Sequence, residues 1–153
     1  MTDASLLARA IRFIATTPTC FNQAFNVTNG DVFRWRSLWP RIASYFKCEL
    51  GIVRPLKLAE WMRDKQSIWE RIVLRHGLHP SALEEVADWA FADFLWSQCY
   101  DVISQTTKLH SVGFYEVLDT QAMFLQQLSC YSEAGILPKL AVQADARQSQ
   151  PAP

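Results

Sequence analysis

The chain has 153 residues, half of them apolar and 12% aromatic, which suffices for one packed domain and excludes disorder over most of its length. Fifteen basic residues balance fifteen acidic ones, so no net field favours nucleic acid or an anionic membrane as a partner. No apolar run approaches the roughly 20 residues of a membrane span, and Met1-Thr2-Asp3-Ala4-Ser5 lacks a signal-peptide pattern, so a soluble cytoplasmic protein is the expectation.

The spacing of Leu6, Leu7, Ala10, Ile11 and Ile14 predicts an amphipathic helix from about Asp3 to Ala15, followed by a loop through Pro18 to Asn22. Gln23 to Val27 reads as a short strand with Phe25 and Val27 on one face, and Asn29-Gly30 reads as the turn behind it. A helix is predicted from Val32 to Phe46, with Asp31 placed to act at its start, Trp35 and Trp39 as packing residues, and Pro40 bending it. Lys47 to Lys57 is irregular. Leu58 to Lys65 and Ser67 to His76 read as two short helices, the second stopped by Gly77. Ser81 and Glu84 form a capping-box pattern that opens a helix to about Ser97, with Leu83, Val86, Ala87, Ala90, Phe91 and Phe94 on its apolar face. Trp89 and Trp96, seven apart on one side of that helix, read as packing residues. Tyr100 to Ser104 is a candidate extended segment. A last helix is predicted from Thr120 to Ala134, with Asp119 as its cap and Gly135 as its stop. The expected organisation is therefore 1–138 as one folded unit and 139–153, rich in Gln, Ala, Asp and Pro, as a disordered tail. Strand–turn–helix units belong to α/β proteins, yet two or three short strands need more partners than these residues offer, so the chain reads as mainly α and α/β only by parentage.

Several chemistries are excluded by pattern. The five glycines, Gly30, Gly51, Gly77, Gly113 and Gly135, are isolated, so there is no G-x-G and no G-x-x-x-x-G-K phosphate loop. No tyrosine is followed four positions later by lysine, and no G-x-S-x-G or H-E-x-x-H occurs. Cys20, Cys48, Cys99 and Cys130 are too far apart for a metal knuckle and read as reduced, mostly buried thiols. His76 and His79 are separated by a helix-breaking Gly77 and read as structural or surface histidines. Glu84, Glu85, Asp88 and Asp93 read as solvated or capping carboxylates. Taken alone, the residues assign no catalytic, cofactor or metal site.

Four stretches in order carry a resemblance. Phe25-Asn26-Val27-Thr28-Asn29-Gly30-Asp31-Val32-Phe33-Arg34-Trp35 with Trp39-Pro40, Leu58-Ala59-Glu60-Trp61-Met62 with Ile68-Trp69-Glu70-Arg71-Ile72-Val73, Asp88-Trp89-Ala90-Phe91-Ala92-Asp93, and Thr106-Thr107-Lys108 before Gly113-Phe114 are the segments concerned. They resemble the carboxyl-terminal part of extended short-chain dehydrogenases of the progesterone 5β-reductase and iridoid synthase branch. The resemblance runs from about Asp3 to Pro138 and covers less than half of a full-length relative. It implies that the Rossmann half, with its nucleotide loop and its tyrosine–lysine pair, is missing. It also implies an NADPH-dependent parent that reduces activated C=C bonds of enones, no cofactor in this chain, and Phe91 as a substrate-binding residue. On that reading the chain is the substrate-binding portion of a reductase, inactive alone. Its partners would be an enone-like small molecule once a Rossmann half completes it, or further copies through exposed apolar surface, with no nucleic acid and no membrane. The alternatives are a standalone binding or interaction module and a truncated gene product without function.

Overall fold

A computed structural model describes residues 1–139, so the tail expected at 139–153 lies outside the described residues apart from Lys139. The described part holds eight α-helices and one short 3-10 turn at Pro18–Cys20. In chain order the helices are α1 (Ala4–Thr16), α2 (Trp35–Tyr45), α3 (Leu58–Trp61), α4 (Gln66–His76), α5 (Leu83–Val86), α6 (Trp89–Trp96), α7 (Thr107–Ser111) and α8 (Thr120–Glu133). The mainly helical architecture agrees with the sequence, but the expected short strands do not form: no ladder exists among the described residues, and 24–29 and 101–106 are irregular chain. A strand without a neighbour cannot close its hydrogen bonds, so these segments lack the one thing that would make them strands.

Asp3 starts α1. Its carboxylate accepts from the Ser5 N–H (2.9 Å), the Leu6 N–H (3.0 Å) and the Ser5 hydroxyl, which satisfies donors that a helix N-terminus leaves free. Leu6 and Ala10 are buried with Phe13 and Ile14 half-buried beside them, whereas Leu7 and Ile11 turn outward. The hydroxyl bond to Ser5, followed by the Leu6 amide, holds the Asp3 carboxyl below its ordinary value of 3.8. A depressed folded pKa gives stability that is complete above 3.8 and disappears as pH falls below it through the folded value. Thermal melts should therefore fall in that acid window, and Asp3→Asn should flatten the fall; an identical acid limb in the variant would remove Asp3 from the account.

Asp31 does not serve α2. Its carboxylate instead accepts from the Thr120 N–H at 2.8 Å, at the start of α8, beside the local cap from Asp119 to the Ala122 N–H (2.8 Å). The start of α2 has no side-chain cap, and the helix begins only at Trp35, three residues later than the sequence predicts. Pro40 sits inside α2 at its sixth position. The helix predicted from Ser81 to Ser97 is two helices. Ala87 and Asp88 leave helical geometry, Glu85 accepts from the Ala82 N–H (2.9 Å) in place of the Ser81–Glu84 box, and Asp88 opens α6 by accepting from the Phe91 N–H (2.9 Å). Gly77 ends α4 in the left-handed region, as expected.

Two small cores result. Leu6, Ala10, Leu109 and Phe114, from α1, α7 and the turn after it, pack with the side chains of Phe25 and Val27. Trp69 of α4, Leu78 just after it and Leu83 of α5 pack with Met62, Val86 and Trp89. The chain exposes 12205 Å², whereas a folded monomer of 17.5 kDa exposes about 7900 Å². Among the described residues, Val53, Leu74, Ile52 and Val102 are large apolar side chains that stand exposed. Three of the four cysteines, Cys48, Cys99 and Cys130, are exposed rather than buried, because they fall in the uncovered segments or on the outer face of α8; Cys20 alone is buried.

Candidate substrate-binding site

The element that carries Phe91 is α6, whose sequence Trp-Ala-Phe-Ala-Asp-Phe-Leu-Trp is apolar almost all round. Such a helix belongs in an interior, yet none of its residues is buried. Its position is well determined. Asp88 caps its start, and the Asp93 carboxylate accepts from the Leu58 N–H (2.7 Å) and the Ala59 N–H (3.0 Å), clamping α6 across the first turn of α3. Both carboxylates therefore cap helices, as the sequence suggested, and neither meets the other as an acid–base pair.

Phe91 stands 56% exposed and stacks on Phe94, with ring centroids 6.3 Å apart and an interplanar angle of 26°. Trp96 turns the other way and forms the centre of an aromatic belt. It meets Trp35 edge-on at 5.5 Å and Trp39 at 5.6 Å, while Trp35 meets Phe124 of α8 at 5.7 Å. Trp89 and Trp96 both pack, but in different clusters, Trp89 against the core around Trp69. Trp39, expected as a packing residue, is 48% exposed at the rim of the belt. A clamped helix that presents phenylalanines to open space can meet an apolar or conjugated small molecule by ring contact.

Phe91→Ala should lose under about 1 kcal/mol of stability, whereas Phe114→Ala, at a residue only 6% exposed, should lose about 3–5 kcal/mol. Urea denaturation of both variants compares them. Losses of equal size would place Phe91 in the packing rather than at a binding surface.

Two clefts lie elsewhere, and Phe91 borders neither. One, of about 430 Å³, is lined by Pro40, Arg41, Ser44, Tyr45 and Leu125. The other, of about 600 Å³, lies among Phe25, Asn26, Gln105, Thr107, Lys108 and Ser111. Lys108 crosses the second: its ammonium donates to the Ala24 carbonyl (2.9 Å) and lies 4.8 Å from the centre of the Phe25 ring. The Lys108 contact was not legible beforehand, since 84 positions separate the two residues.

The glycines answer the question of a nucleotide. Gly30, the one turn glycine that follows a strand-like segment, has φ +86, and a Cβ there would stand 2.9 Å from Val117 Cγ2. Its freedom is spent on packing against Val117. Gly77 and Gly135 lie at helix ends, and Gly113 faces Phe13. The described residues therefore do not fit a dinucleotide. Nor do any three metal-ligating side chains cluster among the described residues.

No family model matches the chain. Among curated proteins it is similar to the short chain dehydrogenase gsfE of Penicillium aethiopicum, with 32% identity over 151 residues, covering 89% of this chain and 40% of that protein. It is similar as well to the (S)-8-oxocitronellyl enol synthase ISY2 of Nepeta racemosa, with 34% identity over 135 residues, 85% of this chain and 34% of the relative. The enol synthase CYC1 of Camptotheca acuminata is 35% identical over 141 residues, 89% of this chain and 36% of the relative. The chain belongs to the short-chain dehydrogenases, in their iridoid synthase-like branch. It spans between about a third and two-fifths of the length of these curated relatives. No helix of the described residues of this short-chain dehydrogenase is long and apolar enough to cross a membrane.

Proposed function

We propose that this chain is the substrate-binding portion of an NAD(P)H-dependent short-chain oxidoreductase that reduces the C=C bond of an enone-like small molecule, and that it is inactive alone. The observation that carries the reading is α6, an apolar helix capped at its start by Asp88 and clamped at its middle by Asp93 yet open along Phe91 and Phe94. Its place in a chain matched over 85–89% of its length by short-chain relatives supports the same reading. Phe91 is the residue assigned to the substrate. Its ring face would lie against a conjugated system, and Phe94 stacked behind it would fix the ring's orientation. The chain's contribution is positional: holding the substrate in one pose against a reacting group supplied by another half is worth several kcal/mol of barrier, on the order of 7 in favourable cases. A cytoplasmic location accompanies this reading.

Because the described residues do not fit a dinucleotide, the nucleotide site is assigned to a Rossmann half outside them. Co-expression with that half from a close relative should restore NADPH consumption at 340 nm with a small cyclic enone. Phe91→Ala should raise KM by about tenfold, the value of one aromatic contact of roughly 1.4 kcal/mol. A co-purified pair with no turnover across an enone panel would defeat the reductase reading, and micromolar NADPH binding by this chain alone would defeat the division of labour.

A further inference from the structure

Hydrophobicity does not choose which side of α6 faces the protein, because the helix is apolar almost all round. At 3.6 residues per turn, Trp89, Asp93 and Trp96 fall within about 60° of one another, and Phe91, Phe94 and Leu95 lie on the opposite side. Asp93 is the one charged residue of α6, and it stands on the side turned inward. Beside it Trp89 packs against the core around Trp69, and Trp96 meets Trp35 and Trp39. Those contacts are apolar and tolerate sliding. The carboxylate bonds do not. One oxygen of Asp93 accepts from the Leu58 N–H (2.7 Å) and the other from the Ala59 N–H (3.0 Å), so a single planar group takes two directional, charge-assisted bonds. Both donors belong to the free start of α3, where the N-cap residue Lys57 supplies no side-chain acceptor of its own.

We propose that Asp93 is a positioning residue for the substrate: its two bonds set the rotation of α6, and through it the outward stand of Phe91. The proposal rests on the functional reading above and adds the group that holds the contact ring in place. A second acceptor of the same reach does not exist on α6, so the rotation has no other polar constraint from within the helix.

A double-variant cycle tests this in the chain co-expressed with the Rossmann half of a close relative, with KM and kcat for a small cyclic enone and a melt of every variant. Asp93→Asn keeps the volume but opposes an amide NH2 to one of the two N–H groups, and should raise KM about fivefold with kcat within about twofold. Asp93→Glu keeps both acceptors and the charge but is longer by one carbon, about 1.5 Å. It should melt close to the parent and still raise KM about threefold, which a residue that only capped α3 would not do. Added to Phe91→Ala, Asp93→Asn should change KM by less than about 1.5-fold, because both act through one ring. If Asp93→Asn does not fold, Asp93→Glu carries the cycle.

The chain alone gives a second readout. With 4-fluorophenylalanine in place of phenylalanine, the Phe91 fluorine signal, identified by its loss in Phe91→Leu, should shift in Asp93→Glu while the Phe114 signal stays. An unmoved Phe91 signal overturns the proposal. So does a KM that rises in Phe91→Ala but not in the Asp93 variants, or Asp93 and Phe91 effects that multiply; in these cases the substrate reading of Phe91 stands. A KM unchanged in Phe91→Ala, or no turnover across an enone panel, overturns that reading and the proposal with it.

Discussion

Replacing Asn29 with alanine should cost the chain roughly 3 kcal/mol or more, among the largest losses that any single substitution can produce here. Asn29 is 1% exposed, and its side chain joins two helix starts that lie far apart in sequence. Its Oδ1 accepts from the Asp3 N–H (2.7 Å) at α1, and its Nδ2 donates to the Thr120 hydroxyl (2.9 Å) and to the Met123 sulfur (3.4 Å) at α8. The Thr120 hydroxyl, fully buried, passes its own hydrogen to Asp31 (2.5 Å). Truncating Asn29 leaves the Asp3 amide without its acceptor and opens a space that no neighbour fills, and each buried polar group so orphaned costs about 1–3 kcal/mol. Asn29→Asp keeps the volume but sets a carboxylate oxygen against Thr120. It should lose a comparable amount, which separates hydrogen bonding from packing. Urea denaturation of the chain measures both. A loss below about 1 kcal/mol for the alanine variant would mean that this network does not hold the turn.

Gly30→Ala should lose roughly 2–4 kcal/mol for two separable reasons. The residue has φ +86, where an L side chain costs about 1–2 kcal/mol. The new methyl would also stand 2.9 Å from Val117 Cγ2 and 3.2 Å from Val117 Cγ1, an overpacking worth about 1–3 kcal/mol. Val117 is 56% exposed and can turn in part toward solvent, but the next residue's N–H is bonded to the Asn29 carbonyl at 2.8 Å, which holds its backbone, and its branched side chain is stiff at χ1. The double variant Gly30→Ala/Val117→Ala should recover the packing part and retain the backbone part. A double variant no more stable than Gly30→Ala would show that Val117 is irrelevant and that strain alone limits the position.

How far the sequence leads depends on how far apart the interacting residues lie. The first and last helices were legible to within about one residue: Asp3 and Asp119 cap their own helices within three positions, and Gly135 stops the last one locally. The absence of a phosphate loop was equally plain, because that loop is a contiguous pattern. The branch of short-chain dehydrogenases was legible as well, since several stretches recur in order. Only the tertiary structure showed that Asp31 turns to the helix 89 positions away instead of the next one, and that Asp93 clamps a helix start 35 positions back. It also placed Trp89 and Trp96 in different clusters, broke the helix at Asp88, and left 24–28 without a ladder partner among the described residues. Caps and stops close hydrogen bonds within a turn, so local residues determine them. Which distant donor a carboxylate reaches, and whether a strand finds a neighbour, depends on how the elements pack.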